Sequence, residues 1–147
     1  MDINQYVEKA TRFCIQRTPY HVANDLNYFI HYQDMGEETL GYHYKSGSAK
    51  IICLNSRLSA KKQAFVLAHE LGHAMMHSDV RISKFTKDTL YSTDKMEREA
   101  NIFAALLLFG HRELFTLYEL AYEYEIEVHI LKDLLGLRLG QKAFWQY

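Results

Sequence analysis

Ile3, Val7, Ala10 and Cys14 recur at three- and four-residue spacing, the apolar stripe of an amphipathic helix. The stripe predicts a helix over residues 2–17, closed by Pro19, with Cys14 on its packed face. Val22 and Leu26 mark a short second helix, and residues 29–33 read as extended chain. The period then changes. Residues 40–45 and 49–55 are strand-like runs flanking Ser46-Gly47-Ser48, which predicts a hairpin with a three-residue connection. The second run, with Ile51, Ile52, Cys53 and Leu54, has the continuous apolar character of a central strand, whereas Gly41, Tyr42, His43, Tyr44 and Lys45 are mixed as in an edge strand. Ser59 is placed to cap a helix over residues 60–77, after which the polar stretch 78–93 reads as a loop. Asp94 and Glu97 have capping-box spacing at the head of a helix that stops at Gly110. Two more helical patterns, near residues 113–124 and 128–139, complete an α+β chain.

Composition narrows the class. The 147 residues are 48% hydrophobic and 24% charged with one Pro, and no repeat or low-complexity tract interrupts them, so the chain should fold continuously. We divide it into a core over 1–111 and a C-terminal helical module over 112–147. The longest apolar run, 102–109, falls short of the roughly 20 residues a membrane helix needs. The opening Met1-Asp2-Ile3-Asn4-Gln5 lacks the basic start and apolar core of a secretory signal, and two cysteines, Cys14 and Cys53, suit buried free thiols; both point to the cytoplasm. A net charge of −1 lacks the basic footprint of a nucleic-acid binder. Glu119-Leu120-Ala121 followed by Ile126, Val128 and Ile130 has the look of a helix-turn-helix, with Glu125 where its turn usually has Gly. Yet Glu113, Glu119, Glu123, Glu125 and Glu127 come with no Lys or Arg between them, and phosphate would be repelled. Packing or substrate docking is the expected role of this module, without nucleic acid or membrane as partner.

His69-Glu70-Leu71-Gly72-His73 fits HExxH within the 60–77 helix. At about 100° per residue, two histidines four apart sit about 40° apart and one turn apart, so both imidazoles can reach one ion. Glu70 lies about 60° beyond His73, close enough to face a water at an open coordination position and act as its base. Leu67, Leu71, Ala74, Ala64 and Met75 form the opposite, packed face. Catalytic zinc usually takes three protein ligands. The longer HExxHxxGxxH pattern fails, because Met76 stands at the Gly position and Asp79 at the final His. Asp79 remains a minor candidate. The helix after Asp94 offers Glu97 and Glu99. With Glu99 at 0°, Leu106, Phe103, Ile102 and Met96 fall within about 60°, whereas Glu97 lies near 160° beside Arg98, Asn101 and Ala105. On that wheel Glu97 faces solvent and caps the helix. A carboxylate centred on an apolar face is costly unless paired or metal-bound, so Glu99 is the expected third ligand, with a buried salt bridge as the alternative. His77 lies too far along the helix for the same ion, and a structural role or support of a ligand suits it.

Phe65-Val66-Leu67-Ala68-His69-Glu70-Leu71-Gly72-His73 and Glu97-Arg98-Glu99-Ala100-Asn101-Ile102-Phe103-Ala104-Ala105-Leu106-Leu107 resemble the ImmA/IrrE metallopeptidases of bacteria and their mobile elements. The second stretch is similar to that family's ExEANxFAAxLL signature, and the resemblance spans about residues 19–137, with weaker matches at Pro19, Gly41 and His77. One departure is Leu108-Phe109-Gly110 where many members have Pro after the leucines. The resemblance implies a small zincin fold, with the hairpin packed on the HExxH helix, and a zinc site in which Glu99 is the third ligand. It also implies a protein substrate that is often the repressor of a prophage or integrative element. The expected function is therefore a cytoplasmic zinc endopeptidase with His69, His73 and Glu99 on one zinc ion and Glu70 as base. The alternative is an interaction protein that inactivates a repressor without cutting it and keeps zinc as a structural element. An extended substrate should add as a strand along the main chain of Gly41, Tyr42, His43 and Tyr44.

Overall fold

The computed structural model describes residues 2–12, 18–79, 82–92, 94–110 and 114–138. The elements run α1 (Ile3–Thr11), α2 (Pro19–Asp25), β1 (Phe29–Gln33), β2 (Thr39–Ser46), β3 (Ala49–Asn55), α3 (Ala60–Met76), β4 (Ile82–Thr86), α4 (Lys87–Leu90), α5 (Lys95–Phe109), α6 (Leu114–Glu123) and α7 (Val128–Arg138). This is an α+β chain. Cys14 and the end of the predicted first helix lie outside the described residues.

Local chemistry sets most helix starts. The Thr18 hydroxyl accepts from the His21 amide, with Pro19 in the first turn of α2 where its missing N–H costs nothing. Ser59 caps α3 by accepting from Lys62 N at 3.1 Å, and Asp94 caps α5 by accepting from Met96 N and Glu97 N. At the other end Gly110 closes α5 with φ 63, a conformation glycine adopts without strain.

The sheet order is β1-β3-β2-β4. β1 runs parallel to β3, and β2 is antiparallel to both its neighbours. The hairpin turn is one residue tighter than expected: Ser46 pairs with Ala49, leaving Gly47-Ser48, and Gly47 has φ 60, at the position where type II′ turns place glycine. Two expectations are corrected here. The stretch read as a loop at 78–93 contains β4 and α4, and β4 joins the sheet beside β2. Gly41 to Tyr44 therefore do not form an edge. They pair with Leu54, Cys53, Ile52 and Ile51 on one side and with Phe85, Lys84, Ser83 and Ile82 on the other, so their main chain has no free side for a substrate.

Alternation sends Gly41, His43, Ile52, Leu54 and Phe85 inward onto the helical layer, where all are buried, while Tyr42 and Tyr44 stack on the outer face. Against the inner face lies α3, which packs in turn on α5, itself flanked by α1 and α7. Gly72 permits the α3–α5 approach, since a Cβ there would meet Phe103 at 3.1–3.2 Å. Leu117, Ala121, Ile126, Ile130, Leu131 and Leu134 of the C-terminal helices join the same apolar cluster as Phe65, Leu71 and Phe103. The end of the acidic run docks on α3. Glu123 pairs with Lys61, Ser59 Oγ donates to the Glu125 carboxylate at 2.7 Å, and Lys62 Nζ donates to the Glu125 carbonyl at 2.6 Å. Glu125 itself takes the turn conformation usually given to glycine, with φ 56. No helix among the described residues is long and apolar enough to cross a membrane.

Candidate metal centre

Three side chains from two crossing helices converge. His69 and His73 leave α3 on one face, and Glu97 reaches across from the first turn of α5. Their ligand atoms all lie within 4.8 Å of one another. Glu97 Oε2 is 3.1 Å from His69 Nε2, and Glu97 Oε1 is 3.1 Å from His73 Nε2. The carboxylate thus straddles the pair. Burial alone would raise the Glu97 carboxyl, but the two imidazoles beside it outweigh burial and hold it at about 2. For His73 burial dominates and lowers the imidazole below its ordinary 6.5, against the pull of Glu97.

The surrounding groups orient these donors. Asn101 Oδ1 lies 2.7 Å from His69 Nδ1, so Nδ1 carries the proton and the Nε2 lone pair points at the cluster. Phe85 of β4 stacks on the His69 ring with centroids 3.7 Å apart. The opposite nitrogen of His73, Nδ1, lies 2.9 Å from His77 Nδ1. His73 Nε2 is buried, and its neighbour among the described residues is Glu97 Oε1 at 3.1 Å. Two imidazole lone pairs and a carboxylate facing one another repel unless a cation sits between them. Two nitrogens and one carboxylate oxygen are a donor set that suits zinc. The residues present therefore fit a metal ion.

Glu70 stands beside this set. Fully buried, it takes Oε2 to His43 Nδ1 on β2, while Oε1 has no hydrogen-bond partner among the described residues. An acceptor left open next to a candidate metal position is what a general base needs. Tyr28 also brings a buried hydroxyl with no hydrogen-bond partner among the described residues, pushed up to about 12 by burial and then by the charge of Glu70.

Of the residues expected from sequence, His69, Glu70 and His73 share this site. Glu99 does not. It is buried on α5 with Oε1 3.3 Å from His77 Nε2, while Glu97, expected in solvent, occupies the position facing both ligand histidines. The reason is that the arc assigned to solvent is covered by neighbouring helices, while the exposed positions of this turn are Lys95 and Met96. Its Arg98 side contacts Asp133 of α7 and its Glu97–Asn101 side lies against α3. The reciprocal half of the capping box is absent as well, since the Glu97 carboxylate is turned to the histidines. A signal for this existed: Glu97 and Asn101 are four residues apart and so share a helix face, and both touch His69. Asp79 is exposed and outside the cluster. Of the substrate residues expected from sequence, His43 reaches the site through Glu70, Gly41 lies against Val66 of α3, and Tyr42 and Tyr44 stack on the other side of the sheet.

Sequence comparison supplies independent information. A family described as the IrrE N-terminal-like domain, a peptidase family, matches residues 23–139. A Bacillus phage phi105 protein named "Uncharacterized immunity region protein 2" is 37% identical over 90 residues, covering 61% of this chain and 57% of its own length. "Metallopeptidase ImmA" of Bacillus subtilis (strain 168) is 30% identical over 96 residues, covering 65% of this chain and 56% of its own. The matched region is thus little more than half of either relative. No solved structure matches. With 23–139 spanning the hairpin, both histidines of α3 and all of α5, the chain belongs to the IrrE N-terminal-like family of peptidases.

Proposed function

We propose that this chain is a zinc-dependent endopeptidase, with His69, His73 and Glu97 holding one zinc ion and Glu70 as the catalytic base. The observation that carries the reading is the convergence of two buried imidazoles and one carboxylate within 4.8 Å, beside a buried glutamate whose Oε1 is open. When bound, zinc supplies Lewis acidity that polarises a peptide carbonyl and acidifies water. Glu70 Oε1 takes the proton of the attacking water and delivers it to the leaving amine, while His43 holds Oε2 and fixes the carboxylate. The sheet edge nearest the cluster is β4, whose Phe85 lies on His69. An extended substrate would pair there, in place of the main chain of β2.

The substrate in this reading is a repressor protein in the cytoplasm, and one relative's name, an immunity-region protein, is in keeping with a repressor. Two measurements test the proposal. Elemental analysis of purified protein should give about one zinc per chain. Glu70→Gln should keep zinc and fold but abolish cleavage of a co-expressed repressor from the same immunity region. If Glu70→Gln inactivates that repressor as well as the wild type does, the protein acts by binding and the peptidase reading is wrong.

A further inference from the structure

Glu99 and His77 are buried polar side chains that the proposed chemistry does not use. They are 4% and 8% exposed, and Glu99 shares its face of α5 with the buried Ile102, Phe103 and Leu106, where an ionised carboxylate is costly unless hydrogen-bonded. Its Oε1 is 3.3 Å from His77 Nε2, and His77 Nδ1 is 2.9 Å from His73 Nδ1. The three groups form one line ending at a ligand histidine.

Proton counting gives the line a direction. A carboxylate only accepts, so Nε2 of His77 must donate to Glu99. A neutral His77 is then left with a lone pair on Nδ1, and the contact with His73 requires the proton on His73 Nδ1. The His73 Nε2 lone pair is thereby presented to the Glu97–His69 cluster. The reverse arrangement would face a bare His77 nitrogen with a carboxylate and put the His73 proton where the metal should be.

We propose that Glu99 and His77 are positioning residues for the metal centre, acting as a Glu99–His77–His73 chain that fixes the tautomer and ring of His73 and so sets zinc affinity. The inference rests on the zinc reading above and extends it by assigning two residues that do not touch the ion. Partners behind metal-bound histidines typically change metal affinity 10–100-fold, which sets the expected size.

The test measures zinc affinity of the purified full chain by competition with a chromophoric chelator, with the thermal midpoint of the metal-free protein followed in parallel. Glu99→Leu and His77→Phe should each weaken zinc about 10–100-fold. Glu99→Gln, whose amide oxygen still accepts from His77, should recover most of that loss. The Glu99→Leu/His77→Phe double variant should bind no worse than His77→Phe, because Glu99 works only through His77. A histidine-ring nitrogen spectrum of the wild type should show His73 protonated at Nδ1. Wild-type affinity in Glu99→Leu with a lowered midpoint would mean a packing role and overturn the proposal. Additive losses in the double variant would overturn the chain. If His77→Phe does not fold, the Leu and Gln variants at Glu99 decide alone. Wild-type protein that takes up no zinc would refute the metal-centre reading too, whereas uptake unchanged in the variants refutes only the positioning roles.

Discussion

Gly41→Ala measures how closely β2 is pressed on α3, and with it the support of the site. An ideal Cβ at residue 41 would lie 2.7 Å from the Cys53 carbonyl oxygen and 2.7 Å from Val66 Cγ1. Carbon–carbon contacts settle at about 3.5–4.0 Å, so the methyl lacks about 1 Å of room against Val66 and is also too close to the carbonyl oxygen. Neither obstacle can turn away. The oxygen belongs to the main chain of β3, and Val66 is fully buried in α3, where a β-branched side chain has essentially one rotamer. Relief must come from moving β2, and that displaces His43, two residues on, from Glu70. Overpacking costs about 1–3 kcal/mol. With two stiff obstacles we expect the upper part of that range, about 2–3 kcal/mol. At about 2–4 °C per kcal/mol for a chain of this size, the thermal midpoint should fall by about 4–12 °C, and the urea midpoint should fall at unchanged m. Gly47→Asn is the control: nothing lies within 4 Å of its Cβ, and asparagine tolerates the positive φ, so its cost should stay below about 1 kcal/mol. Stability of Gly41→Ala within about 0.5 kcal/mol of wild type would refute the reasoning and show that β2 and α3 can part without penalty.

Tyr28→Phe removes a buried hydroxyl that makes no hydrogen bond among the described residues, so stability should be unchanged or higher by up to about 1 kcal/mol; a clear loss in urea unfolding would reveal a partner for that hydroxyl. Because the folded Tyr28 is raised from 10.0 to about 12, the hydroxyl carries no pH-dependent cost below pH 10.0 and stability is lost as pH rises towards about 12, so the variant should show a shallower alkaline decline. Arg98→Ala leaves Asp133, only 4% exposed and 2.8 Å from the Arg98 guanidinium, as a buried charge, at a cost of about 3 kcal/mol. Hydrogen exchange should then rise first in α7, and uniform protection would show that this pair does not hold the C-terminal helices to α5. Zinc affinity should fall on acidification because the ligand nitrogens must be unprotonated. Glu97, held at about 2, stays ionised from neutral pH down through the histidine range, and burial moves the His73 limb below 6.5; affinity that stays flat down to the pH at which the protein unfolds would exclude imidazole ligation.

Periodicity and local hydrogen-bonding chemistry determined a good deal by themselves. The start of α3 at Ser59, the placement of His69, Glu70 and His73 on one face of it, the cap at Asp94 and the stop at Gly110 depend on neighbours within a few residues, and such interactions are legible in any single chain. Glu97 and Glu99 were decided elsewhere. A helical wheel gives the angle between two side chains but not which element lies along each arc, and α5 is enclosed by α3 on one side and α7 on another, so the polar arc assigned to solvent faces the histidines. The same holds for β2. Its mixed composition has the look of an edge, but edge status is a fact about partners, and β4, only five residues drawn from a polar stretch, pairs along it from the far side of α3. The long-range pairing decides which backbone is free for a substrate and which carboxylate meets the metal position, because both depend on contacts between residues about 30–45 positions apart that local propensity does not encode.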